Sequence, residues 1–191
     1  MSGSLTEQGV FIQTGNPFTV SEGTPFSVGQ LGKVADFVNA AAENGVSGQT
    51  PVKIQYVKRY ATDTVAITSA GDVAFWQDTD NYVVTSQAAN AIGGTTAPFL
   101  AGVFGATNLT FGSYGFIQVA GIGLVRVSDS TTAATVGANL VWSTNNLVKQ
   151  DTVGTTTLLT RQVLGVLRTL NTATGTNVSV EANITVNHLG W

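Results

Sequence analysis

The chain has 191 residues, of which only 10% are charged: eight basic and eleven acidic side chains give a net charge of −3, with no cysteine and a single histidine. About a quarter of an average soluble domain is charged. The missing cysteines exclude a disulfide framework, thiolate metal sites and a cysteine nucleophile, and the scattered Lys and Arg give no electrostatic footprint for nucleic acid, which needs clustered positive charge.

The opening stretch, MSGSLTEQGVFIQTG, lacks the basic and apolar regions of a signal peptide. No apolar run reaches the roughly 20 residues needed to span a bilayer, so synthesis in the cytoplasm and no membrane partner are expected. Solubility then rests on Thr, Ser, Asn and Gln, and a surface of that kind has little like-charge repulsion to keep copies apart. Low charge also lowers the desolvation cost of association. An obligate assembly is expected on these grounds.

Residues 1–25 carry turn formers and isolated apolar side chains without periodicity. Phe11, Phe18 and Phe26 lie close together in sequence, which predicts an extended arm that orders by laying aromatics on a neighbour. A short helix is predicted next, over residues 27–44. Ser27 and Gln30 fit a capping box, Phe26 and Leu31 a hydrophobic staple. Val28, Leu31, Val34, Val38 and Ala41 recur at helical spacing, and Asn44-Gly45 makes a stop. Gly29 and Gly32 oppose it by about 1 kcal/mol each. Residues 1–50 are thus read as arm and helix, and 51–191 as a β body.

From Pro51 the apolar pattern has period two, which places alternate side chains on opposite faces of a sheet. Strands are predicted at Val52–Val57, Val65–Thr68, Val73–Gln77, Tyr82–Thr85 and Phe99–Phe104. They continue at Phe116–Val127, Leu140–Ser143, Leu147–Gln150, Leu158–Leu170 and the last run, where Val178, Val180, Ala182, Ile184 and Val186 share a face. Short strands parted by Gly, Asn, Asp and Ser turns, with one helix, predict a mainly β protein: an antiparallel barrel or sandwich. Gly121 and Gly123 inside the long run YGFIQVAGIGLVRV predict a bulge or sharp bend, and a strand that bends there could serve two sheets.

Residues able to carry chemistry are few. His188 continues the apolar face of the last strand, the place of a core or interface histidine, and no G-x-S-x-G elbow accompanies it. Asp78-Thr79-Asp80-Asn81 has the first spacing of a calcium loop but lacks its glycine and its terminal glutamate, so a turn is expected. The acids are dispersed without a paired-carboxylate pattern, and Gly93-Gly94 and Gly121-Ile122-Gly123 match no phosphate-binding fingerprint. No catalytic residue, metal site or cofactor is expected. Trp76 and Trp142 fall in strands and read as core, while Trp191 ends the sequence as a candidate docking aromatic beside the three phenylalanines.

From its middle to its end the chain resembles the cement, or decoration, proteins of tailed-bacteriophage capsids. The resemblance rests on Gly102-Val103-Phe104-Gly105, on Tyr114-Gly115-Phe116-Ile117-Gln118-Val119 leading to Val125-Arg126-Val127, on Gly137-Ala138-Asn139-Leu140-Val141 and on Val163-Leu164-Gly165-Val166-Leu167. It implies a β-rich module, commonly a homotrimer, on the exterior of the virion head, tying adjacent capsomers of the major capsid protein together. Phe11, Phe18, Phe26 and Trp191 would then be its interface residues. The same pattern also suits a phage tail, baseplate or fibre component, and Trp76, Tyr82 or Trp142 on an exposed platform would suit a carbohydrate-binding surface module.

Overall fold

The computed structural model describes residues 31–39, 50–67, 69–105, 109–128, 136–144, 146–151, 162–168 and 178–186. In chain order their strands are β1 Val34–Asn39, β2 Thr50–Arg59, β3 Val73–Asp78, β4 Val83–Thr85, β5 Leu100–Phe104, β6 Tyr114–Val127, β7 Asn139–Thr144, β8 Leu147–Gln150, β9 Val163–Leu167 and β10 Val178–Thr185. Among the described residues a 3-10 turn, Ala88–Asn90, precedes β5. The protein is mainly β and closes into a barrel.

Closure follows from the pairings. β2 pairs with both β4 and β6, and β4, β3, β5 and β6 pair in succession, which completes a ring. A second ring runs β6, β10, β9, β7, β8 and back to β6. An odd ring of strands alternating in direction cannot close without a parallel junction. Each ring has one: Lys58 opposite Val83 in β2–β4, and Val127 opposite Val148 in β6–β8.

The long strand β6 therefore belongs to both rings, as its two glycines anticipate. Its first half pairs with β2 and β5, and its second half with β10 in unbroken register from Ala120 to Val127. Ile117 and Val119 join one apolar core, whereas Val125 and Val127 join the other. Between them the register slips against Lys53 and Ile54, and Gly121 takes a φ of +93°, which a side chain would strain. At Gly123 a Cβ would lie 2.8 Å from Ile184 Cδ1, so the glycine admits the neighbouring strand's packing.

The strands β3 and β5 stand between the two cores and are buried on both faces. Ala74 and Trp76 of β3 enter the core shared with Ile117 and Phe104, and Val73 and Phe75 enter the core shared with Leu140, Leu164 and Ile184. A strand covered on both sides reads as a continuous apolar run, which is what VAFW and LAGVF show. By contrast β10 alternates strictly: Val180, Ala182 and Ile184 are buried and Ser179, Asn183 and Thr185 exposed. Each fully buried Val, Leu, Ile or Phe contributes about 1.5–3 kcal/mol.

Two expectations are corrected. Val34–Asn39 is not helical but forms β1, antiparallel to β2 from Val34 opposite Gln55 to Asn39 opposite Thr50. Val34 and Val38 are β-branched, and a free edge of β2 supplies hydrogen bonds that outweigh helical spacing. Gly32 starts the strand from a left-handed turn at φ +78°. Residues 27–30 and 40–44 of the expected helix, and the expected arm over residues 1–25, lie outside the described residues. Val65 to Ile67 form a loop instead of a strand, because the Val65 carbonyl accepts from Arg59 Nη2 at 2.7 Å and Ser86 Oγ at 2.9 Å. Of the strand expected over 158–170, Val163–Leu167 is observed as β9, and residues 158–161 and 169–170 lie outside the described residues.

Candidate functional site

Among the described residues a dense cluster of polar side chains gathers where β2 ends. Arg59 ends β2 with only 2% of its surface exposed. Its Nη1 donates to the Leu109 carbonyl at 2.5 Å, and its Nη2 donates to Val65 O and to Ser86 Oγ at 3.2 Å. Nε lies 3.6 Å from Asp63 Oδ2. The Phe111 ring sits 4.5 Å from the guanidinium carbon, a cation–π contact that leaves the exposed edge of Phe111 toward solvent. Burial pulls the Arg59 pKa below its ordinary value, and the Asp63 charge opposes that pull.

Asp63 is the acceptor at the centre of this cluster. It receives Ser86 N at 3.0 Å, Asn90 Nδ2 at 3.0 Å and the Thr85 hydroxyl. Gln87 extends the cluster to Thr64 Oγ1 and Asn90. A guanidinium supplies five donors in a fixed fork. Here the fork ties the loop after β2 to the loop after β4 and to the loop before β6. The cluster can fix loop geometry, and its hydroxyls are committed to those bonds.

A second buried pair joins the rings. Arg126 Nη1 on the second half of β6 donates to Asp72 Oδ1, just before β3, at 2.5 Å. Around it Arg126 N donates to Gly71 O, Gly71 N to Phe104 O, and Val73 N to Asn146 O. Gly71 has a φ of +94°, and a Cβ there would lie 3.0 Å from the Leu124 carbonyl. Backbone meets backbone at this joint, and only glycine fits.

The residues singled out from sequence divide as follows. Phe11, Phe18, Phe26, His188 and Trp191 lie outside the described residues. Trp76 is core, 4% exposed and edge-on to Tyr82, so it offers no surface platform. Tyr82 and Trp142 are half-buried. Asp78 makes the expected turn: its carboxylate accepts Asn81 Nδ2 at 2.7 Å, Asn81 N at 3.1 Å and Asp80 N at 2.9 Å, and these bonds, the Asn81 side chain's first, hold its pKa below the ordinary aspartate value. Among the described residues no group of three or more His, Asp or Glu side chains is gathered for a metal, and no helix is long and apolar enough to cross a membrane.

No known protein family matches this chain, and no curated protein matches it in sequence. The site must be read from its own geometry.

The described residues line at least two surface clefts. One, of about 540 Å³, lies beside β1 and β2 and is lined by Lys33, Lys53, Gln55, Tyr82, Val119 and Val186. Gln55 Nε2 donates to Gly32 O at 3.0 Å, leaving Oε1 buried without a partner. The other, of about 480 Å³, opens between the loop after β4 and the β7–β8 hairpin, with Ser86, Thr95, Trp142, Ser143, Thr144 and Asn146 on its walls. Sequence reasoning named Trp142 and Tyr82 as site candidates but gave no such role to Arg59, Asp63, Asp72 or Arg126. Arg126 interrupts an apolar strand pattern and Asp72 directly precedes one, a lone charge at such a position being a signal that could have found them, whereas Arg59 follows Lys58 at the end of β2 and carries no such signal.

Proposed function

We propose that this protein is a structural virion component, a decoration protein that binds the exterior of a phage head and ties neighbouring capsomers of the major capsid protein together as a homotrimer. The observation that supports this reading best is how the molecule uses its few charges. Arg59 and Asp63 are buried and hold loops, and the partly buried Arg126 meets the buried Asp72 at the joint between rings. The chain has few other charges, 10% of its residues being charged in all, and Val65 and Phe111 are exposed at the end that Arg59 locks.

Such a surface suits a shell. Uncharged, shape-matched contacts avoid the desolvation of buried ion pairs, and a trimer that touches several capsomers makes its later contacts intramolecular, with effective concentrations on the order of mM. Fixed geometry then matters more than the strength of one contact. The resemblance of residues 102–105, 114–127, 137–141 and 163–167 to phage decoration proteins supports the same reading.

The test is cosedimentation of the purified protein with expanded, undecorated shells of its source virus, with stoichiometry read from the pellet. Saturation at about three copies per local threefold position is expected for a trimeric cement. Absence from the pellet, with the protein found in purified tails, would transfer the assignment to a tail, baseplate or fibre component.

A further inference from the structure

We infer that the cleft between the two rings, with Trp142 as its platform, binds a neutral carbohydrate. The cleft borders the end that Arg59 locks, sharing Val65 and Ser86 with it, and its ligand is read by sugar binding and not by shell binding.

The indole of Trp142 is anchored from behind. It packs on the second core and meets Phe75 edge-on, at 6.4 Å between centroids and 89° between planes. It remains half-buried and lines the cleft. An aromatic fixed in that way presents an apolar surface at little entropic cost. Immediately after it the β7–β8 register slips between Trp142 and Thr144, a bulge that redirects side chains locally. Ser143 is held there by its bond with Ser128 Oγ at 2.8 Å.

The rest of the wall decides the ligand class. Thr95 and Thr144 bring exposed hydroxyls, and Asn146, 7% exposed, brings an amide with two donors and an acceptor. No charged side chain is among the described lining residues. A phosphate or nucleotide would need cationic or backbone-amide partners, and a lipid chain, although Val65, Ala88, Ala89 and Trp142 give it apolar wall, would leave the buried Asn146 amide beside it without a partner. A sugar ring has both faces that this cleft offers: C–H groups to stack on an indole and hydroxyls to exchange hydrogen bonds with hydroxyls and an amide. The volume, about 480 Å³, falls within the ordinary range of small-ligand sites, roughly 300–1,000 Å³.

The test applies the full-length protein to an array of neutral and acidic oligosaccharides, followed by calorimetric titration of the best neutral one against the parent, Trp142→Ala and Thr144→Arg. Thr144 is exposed, so its variant fills the cleft without entering a core and keeps the test decisive if Trp142→Ala unfolds. Saturable binding that is insensitive to added salt and roughly tenfold weaker or worse in Thr144→Arg is the expected result. No neutral sugar bound, binding confined to acidic sugars, or undiminished binding by Thr144→Arg would each overturn it.

Discussion

Asp72 and Arg126, 54 residues apart in sequence, meet at 2.5 Å between Oδ1 and Nη1, with the aspartate side chain wholly buried and the arginine side chain 11% exposed. The pair sits where the turn before β3 crosses the second half of β6. It therefore sets how one ring is held against the other. Because both ions are largely out of water, the pair is held by its geometry, and either ion left alone would be costly.

Arg126→Met is expected to lower stability by about 3–5 kcal/mol, since it strands a buried carboxylate. The double variant Asp72→Leu with Arg126→Met should recover most of that loss, because two apolar groups replace a pair whose desolvation largely cancels its attraction. Urea unfolding midpoints of the single and double variants measure the coupling. Losses that simply add would show that the two side chains act independently.

The shared strand makes the two cores one cooperative unit. Ile117→Ala in the first core and Leu164→Ala in the second should each cost about 2–5 kcal/mol, both sites being fully buried. In a Trp191→Phe background, Trp142→Phe leaves Trp76 to report the first core and Trp76→Phe leaves Trp142 to report the second. Denaturant curves from the two reporters should coincide. Separate midpoints would mean that β6 does not transmit unfolding between rings.

Stability should fall at alkaline pH through Tyr56. Burial first, and the neighbouring Tyr114 second, raise its pKa above the ordinary value of 10.0. The unfolded chain thus ionises before the folded one, so the contribution is complete below about pH 10 and is lost as the pH rises through the folded pKa. Tyr56→Phe, which keeps the ring beside Phe116 at 5.1 Å, should flatten the decline in thermal midpoint above pH 10. An unchanged slope would assign the alkaline loss to other groups.

Deleting residues 2–24 removes Phe11 and Phe18. The β body is expected to keep its circular dichroism and thermal midpoint, while occupancy on shells drops in the cosedimentation assay. Undiminished occupancy would remove the arm from the binding role.

The strand pattern was legible wherever a strand has one buried and one solvated face. In β10 the alternation from Val178 to Thr185 is a local property of the chain, and it survives into the structure residue for residue. The glycines of β6 were legible for a similar reason: missing side chains inside a long apolar run predict a bend whatever surrounds them. The segment 34–39 was misread because Val34 and Val38 satisfy helical spacing and strand propensity alike, and only the open edge of β2 decides between them.

What the sequence determined by itself is the mainly β character, the bend in the long strand, the turn held by Asp78, and the scarcity of charge from which the structural role is proposed. These rest on side-chain alternation, glycine's freedom and hydrogen bonds a few residues long. Only the tertiary structure decided that β6 closes two rings, that β3 and β5 lie between two cores, and that Arg59 and Arg126 are spent inside the protein. Those features arise from contacts such as Asp72 with Arg126 and Arg59 with Leu109, tens of residues apart. The energy of such contacts exists only once the chain has brought them out of water together.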